Sequence, residues 1–184
     1  MTVSELLAAV RKPYVEALAR MSATAAMHLE PAYRQADGSL AVEGPLNLPC
    51  RADIIFKEGP SAGQSIRVDS ESQLKFEPIS FALGTASVAL SPFVWDWAPV
   101  EVCGLSQEAT SSVLKSWFLE WFDTEDQNDP TEEGLYGVVH FMSEPEPTVE
   151  GWSVTVDLGS SPERALEDLL FRMSDAGASQ IRVG

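Results

Sequence analysis

The feature that most constrains this chain is the segment 106–122, SQEATSSVLKSWFLEWF, in which Val113, Leu114, Trp117, Phe118 and Trp121 stand at i, i+1, i+4, i+5 and i+8. At 3.6 residues per turn these positions form one stripe, so the segment predicts an amphipathic helix. Two indoles and a phenyl ring on one stripe need a broad apolar surface to lie against, and the β-rich segments on either side supply it as a sheet. The chain is therefore expected to be α+β, an antiparallel sheet with helices packed on one face.

With 184 residues, 45% of them hydrophobic, the chain is long enough to bury a sizeable core. No apolar run approaches the length needed to cross a bilayer. The N-terminus lacks the charged, then apolar, then small order of a signal peptide, because Glu5 precedes the apolar residues and Arg11 and Lys12 follow them; a cytoplasmic location is expected. Cys50 and Cys103 make no disulfide framework in a chain of this length and are expected as reduced thiols.

The net charge of −16 is unevenly placed. No Lys or Arg stands between Lys115 and Arg164, whereas Glu120, Asp123, Glu125, Asp126, Asp129, Glu132 and Glu133 crowd the start of that interval, followed by Glu144, Glu146, Glu150, Asp157 and Glu163. A field of that sign repels phosphates and anionic lipid, so no nucleic acid and no membrane surface is expected as a partner, while a basic protein would be attracted. Acidic loops also serve simply to keep a protein soluble.

Residues 3–30 read as helical, with Leu6, Leu7, Val10, Tyr14, Val15, Leu18, Met21 and Ala25 recurring at three- and four-residue steps and Ser4 as N-cap. Pro13 cannot donate to the helix ladder and clashes with the carbonyl of Ala9. The expectation is a short first turn and a main helix from about residue 13 to 29 that begins at the proline, with His28 capping its C-terminal end. Residues 31–49 mix Pro, Gly, Asp and Asn and read as a loop with one short strand at 40–43. Segments 50–57 and 64–69 flank EGPSAG as a hairpin, 73–83 alternates with Pro78 marking an edge or bulge, and 86–97 is a further extended stretch. If 93–97 is a strand, Phe93, Trp95 and Trp97 share one face, either as an aromatic ligand platform or as the face that a helix covers.

The second half orders its elements as a strand at 100–103, the aromatic helix, strands at 135–142 and 152–158, a helix at 162–176 and a strand at 180–183. Ser161 is expected as N-cap of the second helix and Pro162 at its first position. This β-α-β-β-α-β order is that of ferredoxin-like folds. The division is thus residues 1–98, a helix plus an antiparallel meander, and residues 99–184, a ferredoxin-like half, packed as one unit.

No stretch carries a catalytic or cofactor signature, so no catalytic residue, metal or cofactor is assigned. The loop DTEDQNDPTEEG fails the EF-hand template, with Asn128 where Gly is needed and Gly134 where a bidentate Glu belongs, although Asp123, Glu125, Asp126 and Asp129 are close enough in sequence to share a hard cation. Cys103 precedes a helix start, but its one candidate base, His140, is expected one strand too far away. Asp157, Gly159, Ser160 and Ser161 stand where a strand meets a helix N-terminus and are explained by capping. The sequence thus supports a non-catalytic acidic protein-binding module, in its most concrete form an immunity- or inhibitor-type protein. Such a protein would engage a basic partner through Glu120, Asp123, Glu125, Asp126, Asp129, Glu132 and Glu133. The rival expectation is a small-molecule-binding or enzymatic domain with a pocket near Trp95 and Trp97.

Overall fold

A computed structural model describes residues 1–22, 26–70 and 72–184; Ala25, assigned above to a helical stripe, lies outside them. In chain order the elements are α1 (Val3–Ser22), β1 (Met27–Leu29), β2 (Val42–Glu43), β3 (Leu48–Pro49), β4 (Ile54–Phe56), β5 (Ser65–Ile66), β6 (Ile79–Leu83), β7 (Ala86–Leu90), β8 (Ala98–Cys103), α2 (Gln107–Phe122), β9 (Phe141–Met142), β10 (Glu146–Pro147), β11 (Gly151–Asp157), α3 (Glu163–Asp175) and β12 (Gln180–Val183).

The first helix corrects the reading built on Pro13, because α1 runs through the proline and ends at Ser22. Leu6, Leu7 and Val10 before it and Tyr14, Val15 and Leu18 after it are all buried. Packing on both sides thus holds the helix together against a proline cost of about 3 kcal/mol. The start is a capping box made by Thr2, not by Ser4: Thr2 Oγ1 accepts from the Glu5 N–H at 3.2 Å, and Glu5 Oε2 accepts from the Thr2 N–H at 2.6 Å. His28, expected at a helix end, is exposed in β1 opposite Ile55 of β4.

The main sheet runs β10-β11-β8-β12-β7-β6, with β9 also on β11, and every pairing is antiparallel except that of β12 with β7. Cross-strand partners share a face: Val154 faces Val100, Val100 faces Val183, and Ile181 lies between Val102 and Val88. All of these are buried, whereas on the other face Glu101 and Arg182 form an ion pair at 2.9 Å. One side of the sheet is therefore the core side. The β6–β7 hairpin ends the sheet, and Pro78 sits just before that edge strand. Two small sheets, β1-β4-β5 and β2-β3, complete the molecule.

In α2 the buried positions are Thr110, Leu114, Trp117, Phe118 and Phe122, so the stripe is turned slightly from the expected one and Val113 and Trp121 sit at its half-buried margin. The Ser106 side chain caps α2 by accepting from Ala109 N–H. Trp117 Nε1 donates to Ala165 O at 2.8 Å and ties α2 to α3. Pro162 is the N-cap of α3 rather than its first residue, and Ser161, expected there, donates its Oγ to Leu158 O at 2.6 Å.

Two expected strands shrink. Residues 91–97 leave the sheet after Leu90 and close a tight turn bridged between Val94 and Trp97, so Phe93, Trp95 and Trp97 do not alternate along a strand. Residues 135–142 keep only β9. Their backbone bonds go elsewhere: the Val139 N–H donates to Trp121 O at 2.9 Å and the His140 N–H to Asp157 O at 3.0 Å. Among the described residues no helix is long and apolar enough to cross a membrane.

Candidate functional site

The loop that carries His140 to β9 is held by its own backbone against the ends of α2 and β11, and this delivers the imidazole to the interior. The ring is fully buried between two carboxylates: Nε2 lies 2.7 Å from Glu30 Oε1 and Nδ1 lies 2.8 Å from Asp53 Oδ1. Glu30 follows β1 with φ 50°, Asp53 precedes β4, and a third carboxylate, Asp157 at the end of β11, places Oδ2 4.0 Å from Nδ1. Gly159, at φ +53°, is required here, since a Cβ would stand 2.4 Å from His140 Cδ2.

Each carboxylate is fixed in turn. Glu30 Oε1 also accepts from Ser160 N–H at 3.2 Å and Oε2 from Tyr136 N–H at 2.7 Å. Asp53 Oδ1 accepts from the Tyr14 hydroxyl at 2.7 Å and Oδ2 from Val68 N–H at 2.6 Å. Asp157 Oδ1 accepts from Gly159 N–H at 3.0 Å, whereas its Oδ2 has no hydrogen-bond donor among the described residues. Arg51 braces the same region: its guanidinium donates to the carbonyls of Glu30, Phe122 and Asp123 and pairs with Asp126, capping the C-terminal end of α2.

The electrostatics follow from this packing. Burial alone would lower the His140 pKa, but the hydrogen bonds to Asp53 and Glu30 outweigh it and raise it to about 10, so the ring is an imidazolium donating through both nitrogens. Burial pushes the Glu30 and Asp53 carboxyls up, yet hydrogen bonding to His140 leaves both below their usual values. Burial dominates at Asp157, with the Asp53 charge adding to it and His140 opposing, and lifts it to about 6. Burial likewise raises Tyr14 well above its usual value, which keeps it a neutral donor.

Asp53 and Asp157 are the floor of a cavity of about 290 Å³, whose walls include Cys50, Ile66, Arg67, Trp97 and Phe141. Trp97 and Phe141 stack with ring centroids 6.0 Å apart and planes within 2°, and the Arg67 guanidinium lies 5.0 Å from the Trp97 centroid. Among the described residues, Asp53, His140 and Asp157 are the one group of three whose donor atoms lie close enough to share an ion, within 4.8 Å of one another. Cys50 is half-buried, and burial with the nearby Glu43 pushes its thiol up, which makes it a poor nucleophile.

The residues picked out from the sequence fall elsewhere or are divided. Phe93 and Trp95 are buried, while Trp97 is 45% exposed at the cavity, so the three rings form no common open face. The acids from Glu120 to Glu133 lie at the end of α2 and along the loop behind it. Glu120 pairs with Arg172, Asp126 with Arg34 and Arg51, and Glu133 with Arg11, while both Asp123 oxygens accept loop N–H groups from Gln127 and Asn128. Glu125, Asp129 and Glu132 are exposed. Asp123, Glu125, Asp126 and Asp129 do not converge as a cation site. The sequence reading missed Glu30 and Asp53, took Asp157 for part of a helix cap, and set His140 aside. One signal was present: Asp53, with Arg51, in CRADIIF and His140 in LYGVVHFM are polar groups inside apolar runs, and such groups are buried only with partners. No protein-family model matches the chain, and neither a curated protein nor a solved structure matches it.

Proposed function

We propose that this chain is a small-molecule-binding domain whose ligand enters beside Trp97 and Phe141 and is anchored on the carboxylates of Asp53 and Asp157. The observation that carries this reading is the buried Glu30–His140–Asp53 chain directly beneath an open cavity. A buried ion network is a poor way to stabilise a fold compared with apolar packing, and strongly displaced protonation equilibria in a cleft are a hallmark of binding and catalytic sites. The volume stands at the lower end of the roughly 300–1,000 Å³ range of ligand pockets, which favours a small ligand. Its polar end would be cationic or hydrogen-bond-donating to meet Asp157, and its apolar part would lie along Ile66 and Phe141. A panel of small amines, polyols and amino acids titrated against tryptophan emission tests this. A saturable shift that disappears in Trp97→Phe is expected, and no shift with any member would sink the reading.

A second reading, an acidic module that docks a basic protein, is supported by the exposed Glu125, Asp129 and Glu132, which have no cationic partner among the described residues. It predicts a partner captured from lysate at low salt and released at physiological salt. The finer fold reading, residues 99–184 as a ferredoxin-like unit, is part of the same proposal. It is supported by the antiparallel order β12-β8-β11-β9 with α2 and α3 as the connecting helices.

A further inference from the structure

We propose that the floor of this cavity binds a divalent first-row transition cation, with Asp53, Asp157 and Nδ1 of His140 as the protein ligands. The inference rests on the pocket reading above and gives it a chemistry. Donors bound to one ion at roughly 2.0–2.2 Å stand roughly 3–4.4 Å from one another. Here Nδ1 is 2.8 Å from Asp53 Oδ1 and 4.0 Å from Asp157 Oδ2, so modest adjustments of two carboxylates bring all three onto one centre.

The second nitrogen of the ring supplies an independent argument. Nε2 donates to Glu30, a carboxylate that is 0% exposed and itself pinned by two backbone N–H groups, and this orients Nδ1 toward Asp53 and Asp157 at the cavity floor. A carboxylate behind a ligating histidine is the usual outer shell of a metal site, where it fixes the tautomer and raises the basicity of the ligating nitrogen. The open side is present as well, since Asp53 and Asp157 both line the cavity.

Charge points the same way. Three carboxylates, with side-chain exposures of 0% (Glu30), 5% (Asp53) and 15% (Asp157), face one imidazole, and Asp157 Oδ2 has no donor among the described residues. A dication that displaces the Nδ1 proton adds positive charge where the network is short of it. An imidazole donor beside two carboxylates suits Zn²⁺ or Mn²⁺ better than Ca²⁺ or Mg²⁺. Three protein ligands leave coordination positions open to the cavity, so with the ion bound the organic ligand meets the ion through an oxygen donor, in place of the cationic end that the bare Asp157 carboxylate would take.

The test is calorimetric titration of chelator-stripped protein with Zn²⁺ and with Mn²⁺, in buffers of different ionisation enthalpy and with no organic ligand present. Expected are about one site per chain and release of about one proton per ion near neutral pH. Affinity should fall at least ~10-fold in Asp157→Asn and ~10–100-fold in Glu30→Gln, a positioning residue that touches only the back of the ring. Asp157→Asn, at the edge of the cavity, carries the test should Glu30→Gln fail to fold. The double loop variant Asp129→Asn with Glu132→Gln should bind as the parent does. Absence of saturation with both ions overturns the inference, as does an affinity that Asp157→Asn leaves unchanged or that the loop variant loses. Because the ion is offered alone, each of these outcomes is separate from the Trp97 emission test of the pocket.

Discussion

The exposed acidic stretch that ends α2 and the buried trio of Glu30, Asp53 and Asp157 are built from the same chemical group and behave in opposite ways. Around the stretch, Glu120, Asp126 and Glu133 pair with Arg172, Arg34 and Arg11 at the surface, and such pairs are worth about 0–1 kcal/mol each. Inside, the same carboxylates surround a histidine with 0% exposure, and each one's protonation is set by its neighbours. Charge density along a sequence therefore marks acids that act by their field, whereas displaced protonation comes from removal from water and not from number.

The sharpest way to break this contrast is His140→Ala in the metal-free protein. It strands Glu30 and Asp53 in the core, and a loss of about 3–5 kcal/mol in urea unfolding is expected. A loss no larger than that of a surface acid would erase the difference between the two regions.

The pH dependence sharpens it next. The folded pKa of His140 is raised, so its contribution is complete below the ordinary value of 6.5 and is lost as pH climbs toward about 10. Glu30 and Asp53 are lowered, so theirs is present above the ordinary 4.5 and 3.8 and is lost on acidification. Thermal midpoints should fall at both ends of the scale, and His140→Gln should flatten the alkaline side up to about pH 10, above which the buried Tyr14, raised from its ordinary 10.0, takes over the decline.

Asp157 has the sign opposite to that of Glu30 and Asp53. Its folded pKa of about 6 lies above the ordinary 3.8, so the native state binds the extra proton and stability declines as pH rises through that interval. Asp157→Asn should be more stable than the parent at pH 7 by about 2–3 kcal/mol, with the gain vanishing below about pH 4. The same change weakens ion binding, so this position would hold a liability retained for use.

The smallest effect belongs to the surface. Asp126→Asn removes one partner of Arg51, whose guanidinium keeps the carbonyls of Glu30, Phe122 and Asp123, and should cost about 1 kcal/mol in the same assay. Asp129→Asn should fall within about 0.5 kcal/mol of the parent.

What could be read from sequence was what repeats. The stripes of α2 and α3 and the β6–β7 hairpin have a period, and period is local. The exceptions are instructive: Pro13 announced a break that packing by Leu7, Val10, Tyr14 and Leu18 overrode, and the apolar run at 135–142 imitated a strand although its backbone bonds go to Trp121 and Asp157. The site has no period at all. Glu30, Asp53, His140 and Asp157 come from four separate parts of the chain, and only the fold brings the three carboxylates to 2.7, 2.8 and 4.0 Å from one imidazole.

β12, Gln180–Val183, is wedged between β8 and β7, and among the described residues the β6–β7 hairpin joins the other strands of that sheet through it alone. It works like the last tooth of a zip. Without it the hairpin would have no strand partner in the sheet, and Val88 and Leu90 would lose the cover of Ile181 and Val183. The pairing joins segments far apart in sequence, the class of contact that slows folding and prolongs the exposure of unpaired strand edges.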